Sequence, residues 1–189
     1  FYDQNSGEIK YNSTNNLDIK KSSLRNTFGM VLQDTWIFHG TVLENIKYAK
    51  KDATIEEVEK AASRANALNF IKHLPKGFNT VINDNSGLSV GEKQLICIAR
   101  VMLVEPKIMI LDEATSNIDT RAEMKISSAF NKMMENKTSF VIAHRLSTIK
   151  NSDLIIVMNK GHIIETGTHN DLLNKKGFYY ELYNAQYSK

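Results

Sequence analysis

Four apolar residues, Ile108-Met109-Ile110-Leu111, run directly into two carboxylates, Asp112-Glu113. The run is too short for a helix and does not alternate with polar residues, so it reads as a buried strand. Two ionisable groups at the end of such a strand cost free energy unless a cation or a proton meets them. Two other runs have the same character. Residues 28–32 read as a buried strand ending at Gln33, and residues 139–142 as another, just ahead of His144. Residues 154–158 are a fourth, and Lys160-Gly161 before Ile163-Ile164 makes a hairpin of it. A shorter strand fits residues 8–11, with residues 12–16 as a polar loop.

Helical patterns separate these runs. Thr54 and Glu57 form a capping box, and Ile55, Val58, Ala61, Ala62 and Ala65 share the face behind it. Residues 68–74 continue helical until Pro75 and Gly77. Residues 91–104 form a strongly apolar helix that Glu105-Pro106 stops. Thr120 and Glu123 repeat the capping box ahead of Ala122, Ile126, Ala129, Phe130 and Met133. Residues 168–173 and 178–187 give two closing helices. Strands alternating with helices define an α/β fold with a mostly parallel sheet. Such sheets bind ligands at the carboxyl ends of their strands, where Gln33, Asp112, Glu113 and His144 fall.

Composition adds exclusions. Of 189 residues, 24 are basic and 21 acidic, and the signs are interleaved, so the formal +3 is no nucleic-acid footprint. One cysteine, Cys97, excludes a disulfide within the chain. With 42% hydrophobic and 24% charged residues the chain is globular in character. No apolar run approaches the roughly 20 residues that cross a bilayer.

The chemistry of the strand ends is specific in type. Carboxylate oxygens suit Mg²⁺, and a second carboxylate beside that ion can orient or deprotonate a water for attack on phosphorus. The alternative for Asp112-Glu113 alone is a solvated acidic turn capping the next helix. Ser89 and Gly91, at the start of the apolar helix, leave backbone N–H groups and a hydroxyl for an anion. The alternative there is an ordinary Ser N-cap. His144 could donate to a phosphate oxygen, although a single His after a strand also serves purely structural ends.

Taken in order, Gln33, Leu88-Ser89-Val90-Gly91-Glu92, residues 108–113, Ser116-Asn117-Ile118-Asp119 and His144 resemble the nucleotide-binding domain of ATP-binding cassette (ABC) proteins. The resemblance covers essentially the whole chain and is closest to bacterial exporters of the multidrug and lipid type. It implies a RecA-like P-loop NTPase core, residues 1–40 and 104–189, with the ABC helical subdomain at about 41–103. By resemblance Gln33 is the Q-loop glutamine and residues 88–92 are the signature motif. Asp112 is then the Walker B aspartate on Mg²⁺, a metal that Gln33 also senses, and Glu113 is the catalytic glutamate. Residues 116–119 are the D-loop, and His144 is the H-loop histidine at the γ-phosphate. Ser89, Gly91 and Asp119 would serve ATP in a sandwich with a second cassette.

The same resemblance makes residues 34–46 the segment that meets the coupling helices of a transmembrane domain, and hence places the chain on the cytoplasmic face of a membrane. It implies ATP hydrolysis powering export, with no nucleic acid as partner. A soluble, non-transport ABC ATPase is the alternative, and a non-catalytic truncated fragment is another for the isolated chain. The chain departs from the family in places. No Gly is followed by Lys, so the phosphate-binding G-x-x-x-x-G-K-[ST] loop is absent from the sequence. With the opening on Phe1-Tyr2, this leads us to expect a cassette cut within or just after that loop's helix, lacking the N-terminal strands. Val90 and Glu92 stand where the signature usually has Gly and Gln, and a second negative charge near a triphosphate is unhelpful unless it points away. Residues 83–87 lack the family's usual Gly-Glu pair.

Overall fold

A computed structural model describes residues 4–32, 34–84, 86–112, 118–143 and 146–187. By their contacts the residues divide into two units, Phe1–Phe140 and Val141–Lys189.

The first unit opens on a hairpin where the sequence suggested a loop. Strands β1 (Lys10–Tyr11) and β2 (Thr14–Asn15) pair antiparallel. Asn12 and Ser13 between them both have positive φ, 45° and 69°, the backbone of a primed two-residue turn. A short 3₁₀ turn, Asn16–Asp18, and helix α1 (Lys21–Thr27) follow. Strand β3 (Phe28–Val31) then pairs parallel with β6 (Ile108–Asp112) in the register Phe28 to Ile108 through Val31 to Leu111. With β7 (Thr138–Ile142) the sheet order is β3-β6-β7. The parallel core of the α/β expectation is therefore present.

These strands are not buried on both faces, which corrects the sequence reading. Val31, Met109 and Leu111 are buried, while Met30 is 41% exposed and Phe140 54%. Helix α5 (Val90–Val104) packs on β3 and covers one face. Gly29 permits that approach, since a Cβ there would strike Pro106 and Val101. Among the described residues the other face has no such cover, and Leu32 lies outside the strand and exposed.

The helices follow their caps. Helix α2 (Val42–Lys47), beside the small antiparallel pair β4 (Gly40–Thr41) and β5 (Val81–Ile82), starts on a Thr41–Glu44 capping box. Helix α3 (Ile55–Arg64) starts on the expected Thr54–Glu57 box. Its buried face is Val58, Ala61 and Ala62 with Ala65 beyond, but Ile55 is 45% exposed, one turn too early to reach the core. Helix α4 (Leu68–His73) is short. Helix α6 (Thr120–Met134) buries Ile126, Ala129, Phe130 and Met133 as the pattern required. Its cap is Asp119, whose carboxylate accepts from the N–H groups of Arg121 and Ala122, both at 3.0 Å; Thr120 is the first helical residue and does not cap it.

In the second unit, helix α7 (Leu146–Ile149) precedes strands β8 (Ile155–Asn159) and β9 (His162–Gly167), which form the expected antiparallel hairpin. Lys160 and Gly161, with φ of 47° and 78°, make its primed turn. Helices α8 (His169–Lys175), boxed by Thr168 and Asp171, and α9 (Phe178–Tyr187) complete the unit. Ile155, Val157, Leu172 and Tyr179 form its core. Glu165 accepts from the N–H groups of Phe178 and Tyr179 at 2.6 and 3.1 Å and so caps α9.

The capping carboxylates carry a pH dependence. The Thr41 backbone N–H and hydroxyl hold Glu44 below its ordinary pKa of 4.5, and the Lys50 ammonium, then the Thr54 N–H, do the same for Glu57. A lowered folded-state pKa contributes stability above the unfolded value, lost as pH falls through the folded one. Helicity followed by circular dichroism should therefore decline only once pH drops below 4.5. Thr54→Ala should cost about 1 kcal/mol at neutral pH in denaturant unfolding.

Candidate nucleotide site

The start of α5 and the start of α6 lie side by side. Gly91, in the first turn of α5, is buried against α6: a Cβ on it would sit 2.7 Å from Ala122 Cβ and 3.5 Å from Ile118 Cγ2. Only glycine lets the two helices approach this closely. Two helix N-termini are thereby brought together, each with unpaired N–H groups and a positive dipole end. Both are capped by carboxylates of the chain itself. Asp119 caps α6.

Ser89 is the N-cap of α5, so the ordinary reading of that serine holds as well. Its Oγ accepts from the Glu92 N–H at 3.2 Å and donates to Glu92 Oε2 at 3.0 Å, which also accepts from the Ser89 N–H at 2.9 Å. Glu92 therefore does not point away from the helix start. Its carboxylate folds back over it, on the donors that an external anion would use.

Asp112 is the last residue of β6, half-buried at the carboxyl end of the parallel pair. This is the edge at which parallel sheets bind ligands. Gln33, Glu113, His144 and residues 116–117 lie outside the described residues. Among the described residues no three His, Cys, Asp or Glu side chains cluster as a metal site would. The open clefts beside Glu105 and Lys137, and beside Asn66 and Arg121, hold none of the sequence-predicted site residues. Burial pushes the Cys97 thiol up from its ordinary value, against smaller opposing effects from Arg100 and the Trp36 backbone.

One buried polar residue was missed at the sequence level. Gln94, one turn beyond Gly91, is 1% exposed, and neither amide atom finds a hydrogen bond. An orphaned buried amide costs about 1–3 kcal/mol. A glutamine among Leu95, Ile96 and Ile98 in a helix this apolar was the available signal.

A parallel sheet with Asp112 at its carboxyl edge and two helix starts packed through a glycine define an α/β protein with its ligand edge at the strand ends. The sequence matches the ABC transporter family over residues 1–116, and the chain belongs to that family. It is 50% identical over its whole length to the uncharacterised ABC transporter ATP-binding protein YfiC of Bacillus subtilis, covering 32% of that protein. It is 46% identical over 98% of its length to a fatty acid ABC transporter ATP-binding/permease protein of Mycobacterium bovis, covering 30% of it. The structure matches that of a bacterial Atm1-family ABC exporter with ATP bound, at a TM-score of 0.89 and 39% identity. That match covers 98% of this chain and 32% of the exporter. The chain thus spans about a third of its relatives' length and corresponds to the ATP-binding portion of exporter-type ABC proteins.

Glu92 gives this site a direct test. In the full-length protein, Glu92→Gln keeps the capping geometry but removes a charge that would compete with a phosphate bound at this helix start. The substitution should lower the KM for MgATP by a few-fold, as about 1 kcal/mol of helix-terminus electrostatics would. An unchanged KM would show that the carboxylate moves aside without cost.

Proposed function

We propose that this chain is the greater part of the cassette of an ABC exporter, which binds MgATP, pairs with a second cassette and hydrolyses ATP to drive export. The observation that carries the reading is the Gly91 contact. It packs Gly91 against Ala122 and Ile118, and this supports a reading in which Ser89, Gly91 and Asp119 face nucleotide in a head-to-tail pair of cassettes. The reading makes residues about 41–103 the helical subdomain, supported by the run from the β4–β5 pair through helices α2 to α5, which spans Gly40 to Val104.

Mg²⁺ fits the chemistry of Asp112, a half-buried carboxylate at the end of a strand. Asp112 and Gln33 would hold the ion, which would lend positive charge to the phosphates. Glu113 polarises the attacking water and accepts its proton, while His144 donates to a γ-phosphate oxygen. Ser89 and the first N–H groups of α5 take the γ-phosphate of the ATP held by the partner cassette, in place of the Glu92 carboxylate. Residues 34–46 meet the coupling helices of a transmembrane domain, on the cytoplasmic face.

Glu113→Gln in the full-length protein should abolish turnover, by more than about 100-fold, because the amide cannot accept the proton. Binding of MgATP should survive. Unchanged hydrolysis would overturn the role given to Glu113.

A further inference from the structure

The segment after Gln33 is held to the C-terminal part of α5 by one guanidinium. Arg100 Nε donates to the Asn45 carbonyl at 2.8 Å. Its two terminal nitrogens donate to the Trp36 carbonyl, both at 3.3 Å, and Nη2 also reaches Asn45 Oδ1 at 3.3 Å. The same guanidinium lies 5.6 Å from the Trp36 ring centre and 5.5 Å from that of Tyr48, within cation–π range. Trp36, Phe38 and Tyr48 form a ring triad with centroids 5.3 to 5.7 Å apart. The Cys97 thiol adds a weak hydrogen bond to the Trp36 carbonyl at 3.7 Å.

Asn45 completes the fastening from below. It is wholly buried and satisfied at both ends. Its Oδ1 accepts from the Phe38 N–H at 3.2 Å, and its Nδ2 donates to the Phe38 and Thr41 carbonyls at 3.1 Å each. Loop 36–41, helix α2 and helix α5 are thus bonded at a shared point. Yet Trp36 is 50% exposed and Tyr48 53%, so the triad is fastened on its inner side and open on its outer side. Neither an apolar core nor solvation explains three aromatic rings held at the surface by a bridging cation.

The opposite end of α5 is the capped start at Ser89, eleven residues away, or about 16 Å along the axis. We infer that Arg100 is a positioning residue that makes the aromatic face at Trp36, Phe38 and Tyr48 and the nucleotide-facing start of α5 move as one body. The inference rests on the functional reading above, which gives those two ends their partners. A push on Trp36 is passed through the Arg100 and Asn45 bonds into the helix rather than absorbed by the loop. Lysine cannot substitute, because a single ammonium on a flexible stem does not span the two carbonyls, the amide oxygen and two ring faces at once.

The test is hydrogen–deuterium exchange on the full-length protein in lipid nanodiscs, with and without Mg·AMP-PNP. In the unaltered protein both peptides 89–94 and 34–48 should slow on nucleotide addition, by about tenfold. In Arg100→Ala, peptide 89–94 should keep its response, while that of 34–48 should fall below about twofold. A merely structural role would instead raise exchange at 34–48 without nucleotide and leave its nucleotide response intact; that result overturns the inference. Loss of protection at 89–94 in the unaltered protein would overturn the nucleotide-site reading itself, and the inference with it. Should Arg100→Ala fail to fold, Arg100→Lys, which keeps the charge, reads the same separation: a full response at 34–48 in that variant overturns the inference.

Discussion

Helix α5 is the element on which the first unit depends. It packs against α2, α3, α6 and strand β3, and its buried residues run from Gly91 through Leu95, Ile98 and Met102 to Leu103. A helix apolar on most of its circumference can only be a central one. Among the described residues, the paired helix starts and the aromatic face are placed by reference to it. Gly91 sets the distance to α6, Gly29 sets the distance of β3, and Arg100 sets the loop after Gln33. The apolar face gives this helix its place, and the two glycines allow the neighbours to come close enough for their polar ends to matter.

The start of α5 shows a tension between stability and binding. A capping box satisfies two orphan donors with side chains of the same chain. That stabilises the helix where Ser89 and Glu92 meet, but it fills the position an anion would occupy. Glutamine can cap in the same way without a charge. Glutamate ties the cap to a negative group, so under the proposed function an incoming phosphate would meet both a competitor and a like charge.

Much of this was legible in the sequence because its signals are local. The Thr54–Glu57 box, the Lys160-Gly161 turn and the period of Ile126, Ala129, Phe130 and Met133 each depend on a few neighbouring residues, and each was recovered. Long-range packing was not legible. Apolar runs were read as buried strands, but burial depends on what lies opposite, and Met30 and Phe140 face outward. Asp119 displaced Thr120 as the cap because either residue can cap a helix, and sequence does not say which has the extended backbone. For the site, order along the chain led to the right family. The packing of Gly91 on Ala122 could not be read that way, since it joins residues about 30 positions apart through a missing side chain.

Trp36 is the chain's sole tryptophan. An indole half in water, with a guanidinium and a tyrosine edge against it, is sensitive to small changes in local field and solvent access. Indole emission from this chain therefore reports on one place alone, the loop that Arg100 holds. The molecule carries its own optical probe at the joint between its buried helix and its outer surface.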